Sequence, residues 1–590
     1  MRILLIYPDI HTIQFYHFQH GLAWISAVLK KAGHKVDLLY INCELSGPEA
    51  AAQAKKFAPD LVGISSTTLQ YQFTREYARA IKEELKVPLV LGGIHATIAT
   101  EEVLNEEIFD YLIRAEGEYP LLELAEALQT GKDFRSIKNL AWREKGENKI
   151  NPVREPVNLD EIPAPDRGLF DEDRLLAEND GQFTMMASRG CLFACSYCCN
   201  TVLSELAGGV KKWHRYRTVE SVIEEIELAK TRRPDIKSII FFDEVFTANR
   251  KWIRDFCREY IRRKVNIPYQ IYLRVGTVDF ETLKLMRESG LYSLLIGVES
   301  GDERIRKEVL NRRTPEHKIV EIFKWADQLG IITWSLNMIG VPGDTEESLR
   351  KTIDLNIRLF PGHLQLAVYQ PFPGTPLYQH CVDEGLIPEG EATAVLLNQP
   401  RLNLPGLSRE RIRQIYDEFM ALGWQWEAKR GSKGYIDFSA QFDQAQVKEG
   451  GEHFVKLWLV RVCGEDRLSI LIHPPSKVIW KVDLKPDTKL RFGASFSPDV
   501  WDKPGGGCHY LVKVKTRFGA EETVFSKYLD PKHDPAQRKW MDFEVDLSKF
   551  KDKKIEIALE TKTDGPNDWA VAFWSRPHLV TGGSEDGNVR

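Results

Sequence analysis

The sequence has no long apolar run: the amino-terminal stretch 1–7 stops at Pro8 and Asp9, too soon for a signal-peptide core or a membrane span. It has no long basic tract either. Its 80 Lys and Arg against 85 Asp and Glu give a formal charge of −5, so nucleic acid is not an expected partner. Cysteine is sparse, nine residues in 590, and Cys43, Cys257, Cys381, Cys463 and Cys508 are scattered along the chain. That pattern excludes a disulfide framework and offers no second thiol cluster, which points to a reducing, cytoplasmic compartment. What is present is ample apolar material, 43% of the chain. At this length it is enough for about three or four domains.

The remaining cysteines are gathered. Cys191, Cys195 and Cys198 fall within eight residues just after Arg189-Gly190, with Cys199 beside the last. Three soft ligands this close suggest a metal, and a four-iron cluster held by three thiolates keeps one iron open for an outside ligand. A structural zinc knuckle or a chance group of buried thiols are the alternatives. Zinc wants a fourth ligand at a regular spacing, whereas Cys199 is cramped against Cys198 and His214 stands well away.

Around this loop the chain alternates. Residues 1–145 read as strands at 2–7, 36–40, 61–64, 88–91 and 111–114 with helices between, which predicts a parallel, doubly wound α/β sheet. Ligands of such sheets lie beyond the strands' carboxyl ends, where this chain carries Ser65, Ser66, Thr67, Gly92, Gly93, His95, Glu116, Gly117 and Glu118. Small and hydroxyl residues there let a large planar or phosphate-bearing ligand approach the backbone. Residues 146–180 are a charged, proline-punctuated linker. The alternation resumes over 181–380 with six units, too few for a closed eightfold barrel, and its functional groups are expected on the carboxyl-end loops. A helical connector spans 381–433. From 434 to 581 strands follow without helices, which predicts an all-β sandwich of jelly-roll type, and 582–590 read as a disordered tail. Trp501, Trp540, Trp569 and Trp574 would either form a carbohydrate-stacking face in it or fill its core.

The three-cysteine spacing, with Tyr197 before the last thiol, resembles the signature of the radical S-adenosylmethionine (SAM) superfamily. The resemblance implies a partial (β/α)6 barrel, a [4Fe-4S] cluster on Cys191, Cys195 and Cys198, and SAM chelated to the open iron and cleaved to a 5′-deoxyadenosyl radical. It also implies SAM-contacting positions at the strand ends: Asp243 and Glu244, Arg274, Glu299 and Ser300, and Asn337 and Ile339. Residues 1–145 are similar to the cobalamin-binding domain fused to many such enzymes, which implies cobalamin at Ser65, Ser66, Thr67, Gly92, Gly93, His95 and Glu118. Members that put a histidine on cobalt carry Asp-x-His-x-x-Gly after the first strand. This chain has Asp9-Ile-His11-Thr-Ile-Gln14, so the implied cobalamin has no histidine from this segment.

The leading expectation is a cobalamin-dependent radical SAM enzyme that methylates an unactivated carbon of a small-molecule, lipid or glycan-type substrate. It would draw electrons from a donor such as flavodoxin or ferredoxin. The alternatives are a cobalamin-linked radical oxidation, cyclisation or rearrangement, and a cobalamin or redox sensor with an adhesion module.

Overall fold

The computed structural model describes residues 1–10, 16–388, 399–430, 436–448, 454–463, 465–516, 519–551, 553–565 and 569–581. His11 and Gln14 of the Asp-x-His segment and the tail 582–590 lie outside them. The chain divides into two compact units, residues 1–361 with 365–416, and residues 362–364 with 417–590. The division falls inside the helix Arg409–Arg430, where a single connecting helix was expected.

In the first unit, β1 (Arg2–Pro8) is apolar on both faces: Leu4 and Ile6 enter one core, Ile3, Leu5 and Tyr7 the other. Such a strand is stable only in the middle of a sheet covered on both sides. It pairs in parallel with β2 (Lys35–Ile41) and β3 (Leu61–Ser65), followed in parallel by β4 (Leu89–Gly92) and β5 (Tyr111–Ile113). An antiparallel hairpin, β6 (Leu140–Glu144) and β7 (Glu147–Ile150), completes the order β2-β1-β3-β4-β5-β6-β7. The strand order reverses at β1, so the loops after β3, β4 and β5 gather at one edge. Two helices there were not expected. Gly93–Ile98 starts straight from β4, and Glu118–Thr130 buries Leu121, Leu124 and Ala125 in the core shared with Leu5. The supposed linker is also packed, for Val157, Leu159 and Ile162 cluster with Trp24.

Next come β8 (Gln182–Met185), β9 (Ser188–Arg189), β10 (Arg215–Tyr216), β11 (Ser238–Phe241), β12 (Tyr269–Leu273), β13 (Leu291–Glu299), β14 (Ile332–Ile339) and β15 (His363–Val368). Six of them form one open sheet in the order β15-β14-β13-β12-β11-β8, as expected for a partial barrel, while β9 and β10 form a short ribbon. Phe241, Ile271, Leu273 and Leu294 bury against the helices, which turns Phe242, Tyr272 and Arg274 to the other face. Among the described residues no helix is long and apolar enough to cross a membrane.

The second unit is a β-sandwich. One antiparallel sheet runs Val455–Val462, Glu465–Ile472, Ala572–Thr581, Thr488–Phe496, Met541–Asp546; the other runs Gln446–Lys448, Ser476–Asp483, Lys554–Lys562, Cys508–Thr516, Glu522–Leu529. Trp480, Tyr510 and Trp574 fill the core between them. Trp574 is wholly buried, Trp540 nearly so, and Trp569 is half exposed, so the four tryptophans do not make one stacking face.

Candidate functional site

Asp243, two residues past the end of β11, holds the start of the cysteine loop. Its carboxylate accepts from the Ala187 N–H at 3.1 Å and from the Ser188 hydroxyl. Burial pushes this carboxyl up to about 7. The turn that follows needs Gly190: at φ +85° a Cβ would stand 2.5 Å from the Trp213 carbonyl. Cys191 and Cys198 are then half buried and Cys195 is buried. The loop is stitched to the segment after β13, for Ser196 N–H donates to Leu310 O at 3.2 Å and Asn311 Nδ2 donates to Ala194 O at 2.7 Å.

The thiols have unequal surroundings. Arg274 Nη1 donates to Cys195 Sγ at 3.1 Å, its guanidinium 3.8 Å from the centre of the Phe193 ring. Asn200 Nδ2 approaches Cys198 Sγ at 3.8 Å and is held by Trp213 Nε1 at 2.7 Å. Burial pushes the Cys191 thiol up to about 11, while a hydrogen bond from Cys199 pulls Cys198 down to about 7. Among the described residues no three His, Cys, Asp or Glu side chains could share one metal ion. In a four-iron cluster each thiolate takes a different iron, so the ligands need not converge on a point.

Glu299 closes the other side. A register shift between β13 and β14 sets it in the left-handed region, φ +67°, uncommon for a residue with a side chain. Arg312 Nη1 lies 3.4 Å from its carboxylate and Arg312 Nη2 donates to Gly297 O at 2.6 Å. A Cβ at Gly297 would stand 2.6 Å from that guanidinium, so the glycine makes its seat. Burial, with Glu299 nearby, pushes the Tyr197 phenol up. Glu244 is exposed, though surrounding protein holds its carboxyl above the ordinary range.

At the edge of the first sheet, Gly63, Ser65, Gly92 and Gly93 line a cavity of about 50 Å³ with Leu5, Leu22, Ile25 and Leu121. Gly93 has φ +87° and its Cβ would lie 2.6 Å from Ser66 O, so the fold itself requires it. Gly92 is different: a Cβ there meets nothing closer than 4.0 Å. His95 stacks on Tyr71 at 3.9 Å between ring centres and shares a hydrogen bond of 3.2 Å with Thr68, and burial lowers it to about 4. Its Nε2 and the Thr67 hydroxyl are buried with no partner among the described residues.

The comparisons agree with this geometry. Residues 185–355 match the model of the Radical SAM superfamily and residues 8–125 that of the B12 binding domain. An uncharacterized methyltransferase of Pyrococcus horikoshii is 30% identical over 399 residues, 67% of this chain and 85% of its own. The chain belongs to the radical SAM superfamily, among members with a B12-binding domain. The anaerobic magnesium-protoporphyrin IX monomethyl ester cyclase of Rubrivivax gelatinosus is 27% identical over 65% of this chain and 70% of its own. The radical SAM methyltransferase TsrM of Kitasatospora setae, solved with cobalamin and a [4Fe-4S] cluster, superposes with a TM-score of 0.57 at 16% identity, over 73% of this chain and 90% of that one. It shares the fold.

The residues present fit the groups such enzymes carry. Three thiols, two of them reached by side-chain N–H donors, suit a [4Fe-4S] cluster with one open iron, and exposed Glu244 beside them suits the SAM ammonium. The open space over Gly92 and the unpartnered Thr67 hydroxyl and His95 Nε2 suit cobalamin, a large ligand with many amides.

Several expected contacts are engaged inside the protein instead. Ser66 Oγ bonds Thr74 at 2.8 Å. Ser300 Oγ accepts from Asp302 N–H at 3.2 Å. Asn337 faces the helix layer, where Asn356 Nδ2 donates to it at 2.9 Å, and Ile339 is buried in the core. Glu118 lies 2.7 Å from Arg189, and Glu116 reaches Arg189 at 3.0 Å and Arg215 at 2.6 Å. This acidic pair clasps the cysteine loop from the B12-binding domain. Sequence reading misses Arg312, and it places Glu116 only in a ligand-facing loop, without its ion pairs to Arg189 and Arg215. Arg312 sits in Asn311-Arg312-Arg313, which reads as solvated surface; Glu116 had a signal, since it stands beside Gly117-Glu118.

Proposed function

We propose that this radical SAM enzyme transfers a methyl group from cobalamin to a carbon of a small-molecule, lipid or glycan-type substrate. When bound, the cluster and SAM supply the radical and cobalamin the methyl group. The observation that carries the reading is the clasp. Glu116 and Glu118, at the carboxyl edge of the first sheet, grip Arg189 two residues before Cys191, so the two candidate cofactor sites are joined by buried ion pairs. Arg312 holds Glu299 at the rim, Asp243 fixes the loop entrance, and Gly92 leaves room for the corrin. An external flavodoxin- or ferredoxin-type donor would supply the electron, and nucleic acid has no part in the reading. Nine free thiols suit a reducing cytoplasm.

The test is to incubate reconstituted enzyme with SAM deuterated in its methyl group and an extract of the host, and to search by mass spectrometry for a product three deuterons heavier. A labelled product is expected. Formation of 5′-deoxyadenosine with a product that carries no label would favour a cyclisation or oxidation, as the cyclase likeness of Rubrivivax gelatinosus would suggest.

A further inference from the structure

The charge around the three cluster thiols is one-sided. Arg274 donates to Cys195 Sγ at 3.1 Å and is held in place by the Phe193 ring. Arg312, buried and anchored on Gly297 O, adds a second positive charge whose field reaches the same sulfur. At Cys198 the donors are neutral, the Asn200 amide at 3.8 Å and the Cys199 thiol, and among the described residues no side-chain cation is hydrogen-bonded to Cys191 or Cys198. Cys195 is also the most buried of the three, so its two cations act where water screens least. The backbone reinforces this. Val309 and Leu310 carbonyls accept from Ser196, and Asn311 donates to Ala194, so the segment carrying Arg312 moves with the cysteine loop.

We infer that Arg274 and Arg312 are positioning residues that set the reduction potential of the cluster through Cys195. The inference rests on the reading of Cys191, Cys195 and Cys198 as cluster ligands. Adding an electron raises the negative charge of cluster and thiolates, and a cation hydrogen-bonded to one sulfur stabilises the reduced form more than the oxidised one. Hydrogen bonds to the sulfurs, local charge and burial are the protein's means of moving such potentials. Arg312 is partly neutralised by Glu299 at 3.4 Å, whereas among the described residues no carboxylate pairs with Arg274. Arg274 therefore contributes as a bare cation. Removing Arg312 would take away a cation and also leave Glu299 unopposed.

The test is a potentiometric titration of the reconstituted full-length protein without SAM, with the reduced cluster followed by electron paramagnetic resonance. Arg274→Gln is expected to lower the midpoint by about 60 mV, a tenfold smaller ratio of reduced to oxidised cluster at fixed potential for a one-electron couple. Arg312→Gln should lower it at least as far, and Arg274→Lys by less than Arg274→Gln. Should Arg312→Gln fail to hold a cluster, Arg274→Gln decides alone, since its side chain is less buried than that of Arg312. An unchanged midpoint in Arg274→Gln would overturn the inference. So would a shift seen only after SAM is added, which would assign Arg274 to the cofactor's carboxylate. Absence of a reducible four-iron signal in the wild type would instead refute the reading of the thiols.

Discussion

Arg189 lies 3.0 Å from Glu116, across the join between the B12-binding domain and the barrel, two residues before the first cluster cysteine. Both side chains are about nine-tenths buried, and Arg189 also stacks on Trp24 at 4.3 Å. Burial alone would push the Glu116 carboxyl up, but Arg189 and Arg215 outweigh it and hold the carboxyl below its ordinary range.

Removing one partner of a buried pair leaves the other charge uncompensated, so Arg189→Met should destabilise the protein by about 3 kcal/mol. Urea denaturation of the wild type and variant measures this. Because the Glu116 pKa is depressed on folding, the clasp contributes fully above about pH 4.3, the unfolded value, and is lost as pH falls toward the folded one. Arg189→Met should therefore narrow the stability gap to wild type in acid. A gap that stays constant down to pH 3 would show that Glu116 is not the partner that matters.

Asp243 has the opposite sign. Its folded pKa is raised to about 7, so its contribution is complete below about pH 4 and fades as pH rises through 7. Melting temperatures of Asp243→Asn and wild type should diverge between pH 4 and 7, with the variant flatter. Parallel curves would mean that the carboxyl is ionised throughout.

Cys191→Ala, Cys195→Ala and Cys198→Ala should each lose the brown chromophore, while Cys199→Ala should keep it. Iron content per chain measures the first point. A wild-type iron content in Cys195→Ala would remove that thiol from the ligand set.

The two glycines after β4 should behave differently. Gly92→Val adds bulk to open space and should lose cobalamin with little change in stability, whereas Gly93→Leu should also destabilise the fold, because φ +87° and a contact of 2.6 Å to Ser66 forbid a side chain. Cobalt content and thermal melting read together separate the two. Full cobalt binding by Gly92→Val would move the cobalamin site elsewhere.

Much of this architecture was legible along the chain. The βα alternation revealed both sheets because β1 and its neighbours are apolar runs bounded by turns. The helix Glu118–Thr130 was missed although Leu121, Leu124 and Ala125 recur at helical spacing, since Gly117-Glu118 was read as a ligand loop. Asn337 was assigned to SAM from its place at a strand end. In β14, however, Thr333, Ser335 and Asn337 occupy the buried, helix-facing side while Trp334, Leu336 and Met338 take the other, an inversion that no period-2 pattern reveals. The pairing of Arg274 with Cys195, and of Glu116 with Arg189, joins residues far apart in sequence, and only the folded chain brings them together.

The central claim is that one chain holds both cofactor systems and uses them together. Its most direct measurement is the cobalt, iron and 5′-deoxyadenosine found for anaerobically reconstituted protein given SAM and a one-electron reductant. About one cobalt and four irons per chain are expected, with 5′-deoxyadenosine formed by the wild type and absent in Cys195→Ala. Protein that binds iron and cleaves SAM but retains no cobalt, whatever the reconstitution, would contradict the account.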